Sequence, residues 1–259
     1  MFNKKRILIT GAGNYGGGGF IGRNVIEQLS SKHEFILYHG DINEFDRSTI
    51  PTPYEIDCVV HLAARAGVRA SWEDPQGYWN TNVIASKKVF DFCEFWKIRC
   101  LYASSSSVYE WWANPYATSK YAMEWIAPAN SVGMRFHTVY GPFSRPDMFF
   151  DQMLNDKIDY ITDHKRDWTH VNDVVDAIDI LIRNDKVTGT VDIGTDDPIS
   201  VKDVVDAYGY RDVPFKQVTG ERQITHANVN KLKNLGWEPK HNILDECKKA
   251  KENRELYTR

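Results

Sequence analysis

Arg6-Ile7-Leu8-Ile9-Thr10 runs straight into Gly11-Ala12-Gly13-Asn14-Tyr15-Gly16, and this junction decides the fold. A short apolar run stopped by glycines reads as a buried strand. The glycines match G-x-G-x-x-G directly after it. Such a loop permits a tight turn and lets the backbone approach a pyrophosphate beside a helix N-terminus. A second frame also fits: Gly16, Gly19 and Gly22 recur three apart. They lead into Ile21, Val25, Ile26 and Leu29, which recur at helical spacing.

Working outward, the same alternation repeats. Phe35-Ile36-Leu37-Tyr38 reads as a second strand and Asp57-Cys58-Val59-Val60-His61-Leu62 as another. A long helix is expected from about Gln76 to Trp96, then a strand at Arg99-Cys100-Leu101-Tyr102-Ala103. The helix that holds Tyr116 ends by Pro128, and Val132-Gly133-Met134-Arg135-Phe136 is strand-like. Apolar strands alternating with amphipathic helices predict an α/β, Rossmann-type, doubly wound parallel sheet. After Gly141 the pattern is mixed. Helices are expected over 172–182, 200–208 and 242–257, with a strand at Thr190-Val191-Asp192-Ile193. The expected division is a dinucleotide-binding domain over 1–140 plus about 166–194. A small interleaved substrate-binding lobe takes about 141–165 and 195–259.

The 259 residues carry a formal net charge of -3, which gives no sign of a polyanion-binding surface, so no nucleic acid partner is expected. No apolar run approaches the roughly 20 residues of a membrane span, and the first residues do not resemble a signal peptide. Cys58, Cys93, Cys100 and Cys247 have the spacing of neither a zinc site nor a disulfide framework. Core thiols in a reducing cytoplasm are the favoured reading, with no metal. The pair Trp111-Trp112 reads as cover for a core or an interface rather than for a ligand.

Tyr116-Ala117-Thr118-Ser119-Lys120 places a phenol and an ammonium four apart, on one face of a helix. Ser104-Ser105-Ser106-Ser107 precedes it from a strand end. A tyrosine with its ordinary pKa of about 10 is a poor base, and a neighbouring positive charge favours the phenolate. Moving that pKa near 7 takes about 4 kcal/mol of differential stabilisation. Tyr-x-x-x-Lys by itself is common on surface helices, so its neighbours carry the argument.

Taken in order, these segments resemble the extended short-chain dehydrogenase/reductase family of nucleotide-sugar enzymes. The matching stretches are Thr10-Gly11, Gly19-Phe20-Ile21-Gly22, His61-Leu62-Ala63-Ala64, Ser104 to Tyr109 and Tyr116 to Lys120. Tyr140-Gly141-Pro142, Arg166 to Asp173 and Leu235-Gly236-Trp237-Glu238-Pro239 continue the match. Within the family, Ala63 to Ser71, Arg135 to Pro142 and Arg145-Pro146-Asp147-Met148 look most like UDP-glucuronate 4-epimerases. Sugar 4,6-dehydratases carry an Asp-Glu pair before the Val-Tyr motif, and UDP-glucuronate decarboxylases a glutamate. Ser106-Ser107 stands there in this chain, without the carboxylate those reactions use.

The resemblance implies that Tyr116 takes the proton of the sugar 4-hydroxyl while hydride leaves C4 for the cofactor. Lys120 lowers the tyrosine pKa, Ser105 hydrogen-bonds the reacting oxygen, and a 4-keto intermediate turns over before hydride returns. Gly11, Gly13, Gly19, Phe20, Ile21 and Gly22 would frame the pyrophosphate. Asp41 and Ile42 would approach the adenosine, and Leu62, Ala63, Ala64 and Asn82 the nicotinamide half, with Tyr116 and Lys120. Ser105, Ser106, Thr138 and Arg145 would face the sugar carboxylate, since a guanidinium can fork onto it. Arg222 would meet the diphosphate of a UDP-sugar. A surface salt bridge is the plain alternative for either arginine, and a turn role for Asp41. An acidic residue at that point favours NAD over NADP, although His39 could tolerate a 2′-phosphate. His61 reads as a packed, hydrogen-bonded residue rather than a base.

Three departures accompany the match. Removing Asn14 to Gly18 would restore the family spacing of the glycine loop. The stretch from the second strand to Asp57 is too short for the usual extra strand and helix. Ser105 and Tyr116 stand only eleven positions apart. In the family, the helix after Asn82 and the Tyr116 helix often build a dimer bundle, so a homodimer is a possible assembly. The alternatives to an epimerase are another nucleotide-sugar epimerase, reductase or decarboxylase of the family, or a dinucleotide-binding protein without turnover.

Overall fold

The structure, a computed structural model, describes residues 4–13 and 19–257. Asn14 to Gly18, and with them the glycine frame through Gly16, lie outside the described residues. The chain divides into two compact units. One takes in Met1–Arg135 and Ile178–Val191, the other Phe136–Ala177 and Asp192–Arg259.

The strands of the main sheet are β1 (Arg6–Thr10), β2 (Glu34–Leu37), β3 (Cys58–His61), β4 (Arg99–Ser105), β5 (Val132–Phe136) and β8 (Gly189–Ile193). Their order is β2-β1-β3-β4-β5-β8. The pairs β1–β2, β1–β3 and β3–β4 are parallel. From β1 the chain turns first to one side and then to the other, so the order reverses between β1 and β3. In open α/β sheets such a switch point opens a crevice at the carboxyl ends of the strands. Gly11 ends β1 there and Ala63 follows β3.

Helix α1 (Phe20–Leu29) joins β1 to β2. Helices α2 (Val68–Glu73) and α3 (Pro75–Trp79), a π-helical turn (Asn80–Ala85) and α4 (Ser86–Trp96) lie between β3 and β4. The expected helix over 76–96 is therefore continuous only by way of a wider turn. Helix α5 (Pro115–Trp125) joins β4 to β5.

The first core gathers Leu8, Val59, Val89, Phe90, Phe92, Cys100 and Tyr102. Phe90 lies edge-on to both His61 and Tyr102, with ring centroids 6.2 and 5.2 Å away. Burying such a ring is worth about 1.5–3 kcal/mol. All four cysteines are buried free thiols.

Between β2 and β3, where a further strand and helix would add to the sheet, the chain makes three 3-10 turns. They span Ile42–Glu44, Arg47–Thr49 and Pro53–Glu55. Ile42, Phe45, Ile50 and Ile56 drop from this segment into the core. These four side chains close the core without another strand, and β2 is left as the sheet edge. That edge is only four residues long. Its first residue, Glu34, is paired with Arg6 at 3.0 Å. Short, charged edges resist pairing with other chains.

The second unit holds β6 (Thr138–Tyr140), β7 (Lys165–His170) and β9 (Pro198–Ser200), in the order β6-β7-β9. Strand β7 pairs parallel with β6 and antiparallel with β9. The unit also holds α6 (Phe149–Leu154), the part of α7 (Val171–Arg183) up to Ala177, α8 (Val201–Tyr208), α9 (Asn230–Lys233) and α10 (Ile243–Glu252). Its core holds Tyr140, Phe150, Met153, Trp168, Val204 and Cys247.

Two sequence motifs meet in this unit. Asp173 accepts the Lys240 and His241 amides at 3.1 Å each, and its carbonyl accepts the Trp237 indole N–H at 3.0 Å. Asp167 accepts three amides, from Thr195, Asp196 and Ala227, at 2.5, 3.0 and 3.0 Å. Both carboxylates are buried and organise loops. No described helix is long and apolar enough to cross a membrane.

Candidate active site

The end of β1 approaches the turn after β3 very closely. Gly11 has φ +79°, and a Cβ there would lie 2.5 Å from the Ala63 nitrogen. Only glycine combines that backbone with that contact. Across the segment outside the described residues, the Gly19 amide donates to the Gly11 carbonyl at 2.9 Å. A Cβ at Gly19 would collide with the same oxygen, and one at Gly22 would lie 2.6 Å from it. Gly11, Gly19 and Gly22 thus form one close-packed corner. Gly13 packs beside the Tyr38 carbonyl and His39.

Helix α1 starts at Phe20 with Gly19 as its N-cap, and among the described residues no side chain caps its first amides. The first turn of a helix leaves such N–H groups for a partner, and an anion is the favoured one. The corner and the uncapped turn are the features a dinucleotide diphosphate needs. Phe20 and Gly22 are buried and Ile21 is half-buried.

Asp41 caps the first 3-10 turn, where its Oδ1 accepts the Asn43 amide and the Asn43 side chain at 2.9 Å each. Ile42 is buried in the core. Leu62, Ala63 and Ala64 are half-buried, and the Ala63 amide donates to Thr10 Oγ1 at 3.2 Å. Asn43, Arg65, Gly77, Thr81 and Ile84 line an open cavity of about 350 Å³ beyond β2 and β3.

His61 is buried and bonded through both ring nitrogens, to Thr10 at 2.7 Å and Ser86 at 2.9 Å. Burial, with the Lys120 charge adding to it, pushes its pKa down to about 3. It is neutral and structural.

Ser105 ends β4. It caps the 3-10 run Ser106–Ala113, its hydroxyl accepting the Ser107 amide at 3.1 Å. That run, bent at Glu110, is the whole link to α5. Asn114 then caps α5, accepting the Ala117 amide at 2.8 Å, and Pro115 takes the first helical position. Proline is pre-shaped for that position and has no N–H to lose. Tyr116 follows directly, so the cap sets where the phenol enters.

One turn on, Lys120 is 2% exposed and its Nζ donates to the Ala103 carbonyl at 2.7 Å. Ala103 is two residues before Ser105. The ammonium is thereby docked on the strand end that carries the serine. Burial pulls the Lys120 pKa down to about 7, and Glu124 opposes that shift.

Asn82 sits in the π-helical turn, fully buried. It accepts the Arg65 amide at 2.8 Å and donates to the Arg65 carbonyl at 3.0 Å and to Ser119 Oγ at 2.9 Å. Ser119 in turn donates to the Tyr116 carbonyl at 2.8 Å. A π-bulge is a common device at functional sites. Here it turns Asn82 toward both the β3 loop and α5. Tyr78, invisible to motif reading, lies edge-on to Tyr116 with ring centroids 6.1 Å apart. Its hydroxyl is tied to the Ala66 carbonyl at 2.8 Å, and the Arg65 guanidinium covers its ring at 4.9 Å.

Ser105, Ser106, Asn82, Tyr116 and Lys120 all belong to the first unit, whereas Thr138, Arg145 and Arg222 belong to the second. Thr138 opens β6 and is half-buried. Arg145 forks onto Asp147 at 3.0 and 3.3 Å, an exposed ion pair within its own loop. Arg222 is half-buried, and its carbonyl accepts Arg166 at 2.6 Å. Trp111 is 41% and Trp112 67% exposed, so this pair does not cover the core. Trp111 stacks instead on Tyr121 of α5, with ring centroids 5.3 Å apart.

Residues 7–194 match the model of the NAD dependent epimerase/dehydratase family. The chain is 30% identical to Protein CapI of Staphylococcus aureus, over 69% of each chain. It is 28% identical to UDP-glucuronate 4-epimerase of Thermodesulfobacterium geofontis, over 89% of this chain and 84% of that one. Its structure is similar to that of MoeE5 in complex with UDP-glucuronic acid and NAD. The TM-score is 0.81 and the identity 26%, over 97% of this chain and 100% of that one. It is also similar to a UDP-glucuronic acid 4-epimerase variant from Bacillus cereus, solved with UDP-4-deoxy-4-fluoro-glucuronic acid and NAD. There the TM-score is 0.79 and the identity 25%, over 97% and 100% of the two chains.

The buried lysine makes a stability prediction. A folded pKa of about 7 against 10.5 in the open chain means that the unfolded state binds the extra proton between those values. Stability therefore rises with pH from about 7 toward 10, with a Lys120 contribution of about 1.4 kcal/mol per pH unit. In urea unfolding across that range, Lys120→Met should remove this contribution. A slope unchanged by the substitution would refute the burial argument.

Proposed function

The chain belongs to the NAD dependent epimerase/dehydratase family, and within that family we propose that it is a nucleotide-sugar 4-epimerase interconverting UDP-glucuronate and UDP-galacturonate. The observation that carries this reading is the strand end itself. Lys120 of α5 docks there on the Ala103 carbonyl, two residues before Ser105, and Ser106 and Ser107 stand where elimination or decarboxylation needs a carboxylate. The cofactor of the family is NAD. Gly11, Gly13, Gly19, Phe20, Ile21 and Gly22 would hold its diphosphate. Asp41 and the backbone of Ile42, whose side chain is in the core, would approach its adenosine, and Leu62, Ala63, Ala64 and Asn82 its nicotinamide half. Bound there, it supplies reversible hydride acceptance at the sugar C4.

The chain's own residues do the rest. Tyr116, with the Lys120 charge one turn away, takes the 4-hydroxyl proton and later returns it. General base work of this kind contributes about 10²–10⁴-fold. Ser105 donates to the reacting oxygen as its charge changes. Ser106, Thr138 and Arg145 receive the sugar carboxylate, and Arg222 the UDP diphosphate. Arg145 exchanges its Asp147 partner for the substrate, an exchange of like for like. The first unit is the dinucleotide domain in this reading, and the second supplies the sugar site.

The same proposal includes a homodimer through α4 and α5. Phe95 and Trp125 are 62% and 74% exposed on these helices. A contiguous exposed apolar patch marks a contact site, whereas a single exposed ring does not, so the assembly itself has to be measured. Light scattering should give a dimer for the native chain and a monomer for Phe95→Glu/Trp125→Glu. A native monomer removes this part of the proposal.

Incubated with UDP-glucuronate and no added cofactor, the protein should form UDP-galacturonate, resolved by chromatography. Tyr116→Phe should lose at least about a hundredfold in kcat while keeping its cofactor. Consumption of reduced cofactor with a 4-keto sugar, and no new acidic sugar, would establish a reductase instead. Arg145→Ala should raise KM for UDP-glucuronate by about tenfold or more, as expected for losing a charge-assisted fork. An equal rise for UDP-glucose would show that Arg145 does not read the carboxylate.

A further inference from the structure

Helix α5 places Tyr116, Lys120 and Glu124 four apart, on one face. Glu124 lies in a network that the proposed chemistry does not use. Its Oε1 accepts the Ser104 hydroxyl at 2.5 Å and Arg135 Nε at 2.9 Å, and its Oε2 accepts Arg135 Nη2 at 2.7 Å. The carboxylate side chain is 7% exposed. Arg135 stands on β5, and its guanidinium lies 4.9 Å over the ring of Tyr109, in the short link from Ser105 to α5. Ser104 stands between Ala103, which accepts Lys120, and Ser105. One buried ion pair therefore ties together β4, β5, the link and α5, each at the point where the candidate site is assembled.

We infer that the Glu124–Arg135 pair is a positioning device that holds α5 on the end of β4 and balances the charge beside Lys120. The inference rests on the epimerase reading only for its effect on turnover. Bidentate pairs of this kind fix geometry as well as charge. Removing one partner leaves the other buried and unpaired. The arrangement also explains how the ten residues between Ser105 and Tyr116 suffice. The link does not need length to reach α5, because the pair holds Ser104 just before it and Arg135 covers the Tyr109 ring within it.

Electrostatics make the inference specific. The charged and ionisable groups beside Lys120 are Glu124 and Tyr116 on its own helix and neutral His61 on β3. Tyr102 of β4, Arg69 and Glu73 of α2, Tyr78 of α3, and Tyr109 and Glu110 of the link stand on the other elements packed around α5. Glu124 opposes the loss of the Lys120 proton, and Arg135 offsets Glu124. Neutralising Glu124 leaves Arg135 as a net positive neighbour and should ease deprotonation of Lys120. Neutralising Arg135 should do the reverse.

The test follows Lys120 directly. In the holoprotein labelled with 13Cε-lysine, its signal, assigned with Lys120→Met, should titrate lower by at least about half a pH unit in Glu124→Gln. It should titrate higher by a similar amount in Arg135→Met. The double variant Glu124→Gln/Arg135→Met, neutral and of similar volume, should return toward the native midpoint. In turnover, Glu124→Gln should lower kcat about tenfold or more with KM changed less than about twofold. Midpoints that stay fixed, or move the same way in both single variants, overturn the inference. Loss of kcat with unmoved midpoints would reduce the pair to scaffolding. If the native protein fails to epimerise UDP-glucuronate, the functional proposal fails, while the titrations still decide this one.

Discussion

A buried ammonium governs the architecture of this site. Lys120 is almost wholly removed from water, and a cation in that position must be given hydrogen bonds and compensating charge. The Ala103 carbonyl gives the bond and Glu124 the charge. Meeting those two needs fixes how α5 lies against β4. Once that is fixed, Tyr116, one turn earlier, and Ser105, two residues after Ala103, have their places as well. Asn114 starts the helix at the required residue, and Asn82 holds its inner face through Ser119. The parts that look catalytic are thus supported by parts that are purely mechanical.

The chain reaches this arrangement with less material than its sequence pattern would lead one to expect. Three 3-10 turns occupy the place of an outer strand and helix, and four apolar side chains seal the core behind them. The cost is an exposed sheet edge at β2, kept short and charged. The link from Ser105 to Tyr116 is shortened too, to a bent 3-10 run. Both economies lie at the periphery of the Lys120 cluster and leave its hydrogen bonds intact.

Much of this was legible in the sequence, for identifiable reasons. The parallel sheet announces itself because strands buried on both faces read as continuous apolar runs, as in Ile7-Leu8-Ile9 and Cys58-Val59-Val60. The glycine corner is readable because backbone collisions leave no other residue at Gly11, Gly19 and Gly22. His61 was correctly read as a packed residue, since a histidine inside an apolar strand finds partners across the sheet. The π-helical turn at Asn80–Ala85 was not readable. It depends on Asn82 finding Arg65 and Ser119, far away in the chain. Of the two covers expected for the Trp111-Trp112 pair, the core is corrected: Trp111 stacks on Tyr121 and Trp112 is exposed.

The sequence by itself determined the fold class and the family, and it singled out Ser105, Tyr116 and Lys120 as the candidate set of the proposal. It could do so because strand period, glycine sterics and the four-residue helical repeat are local rules. Only the tertiary structure decided that Glu124 pairs with Arg135 and accepts Ser104 at the end of β4. It also decided that Arg145 rests on Asp147 and that Ile42 faces the core rather than the surface. Those outcomes depend on which side chains are brought together and how much water is removed around them. Neither is fixed until the chain has closed on itself.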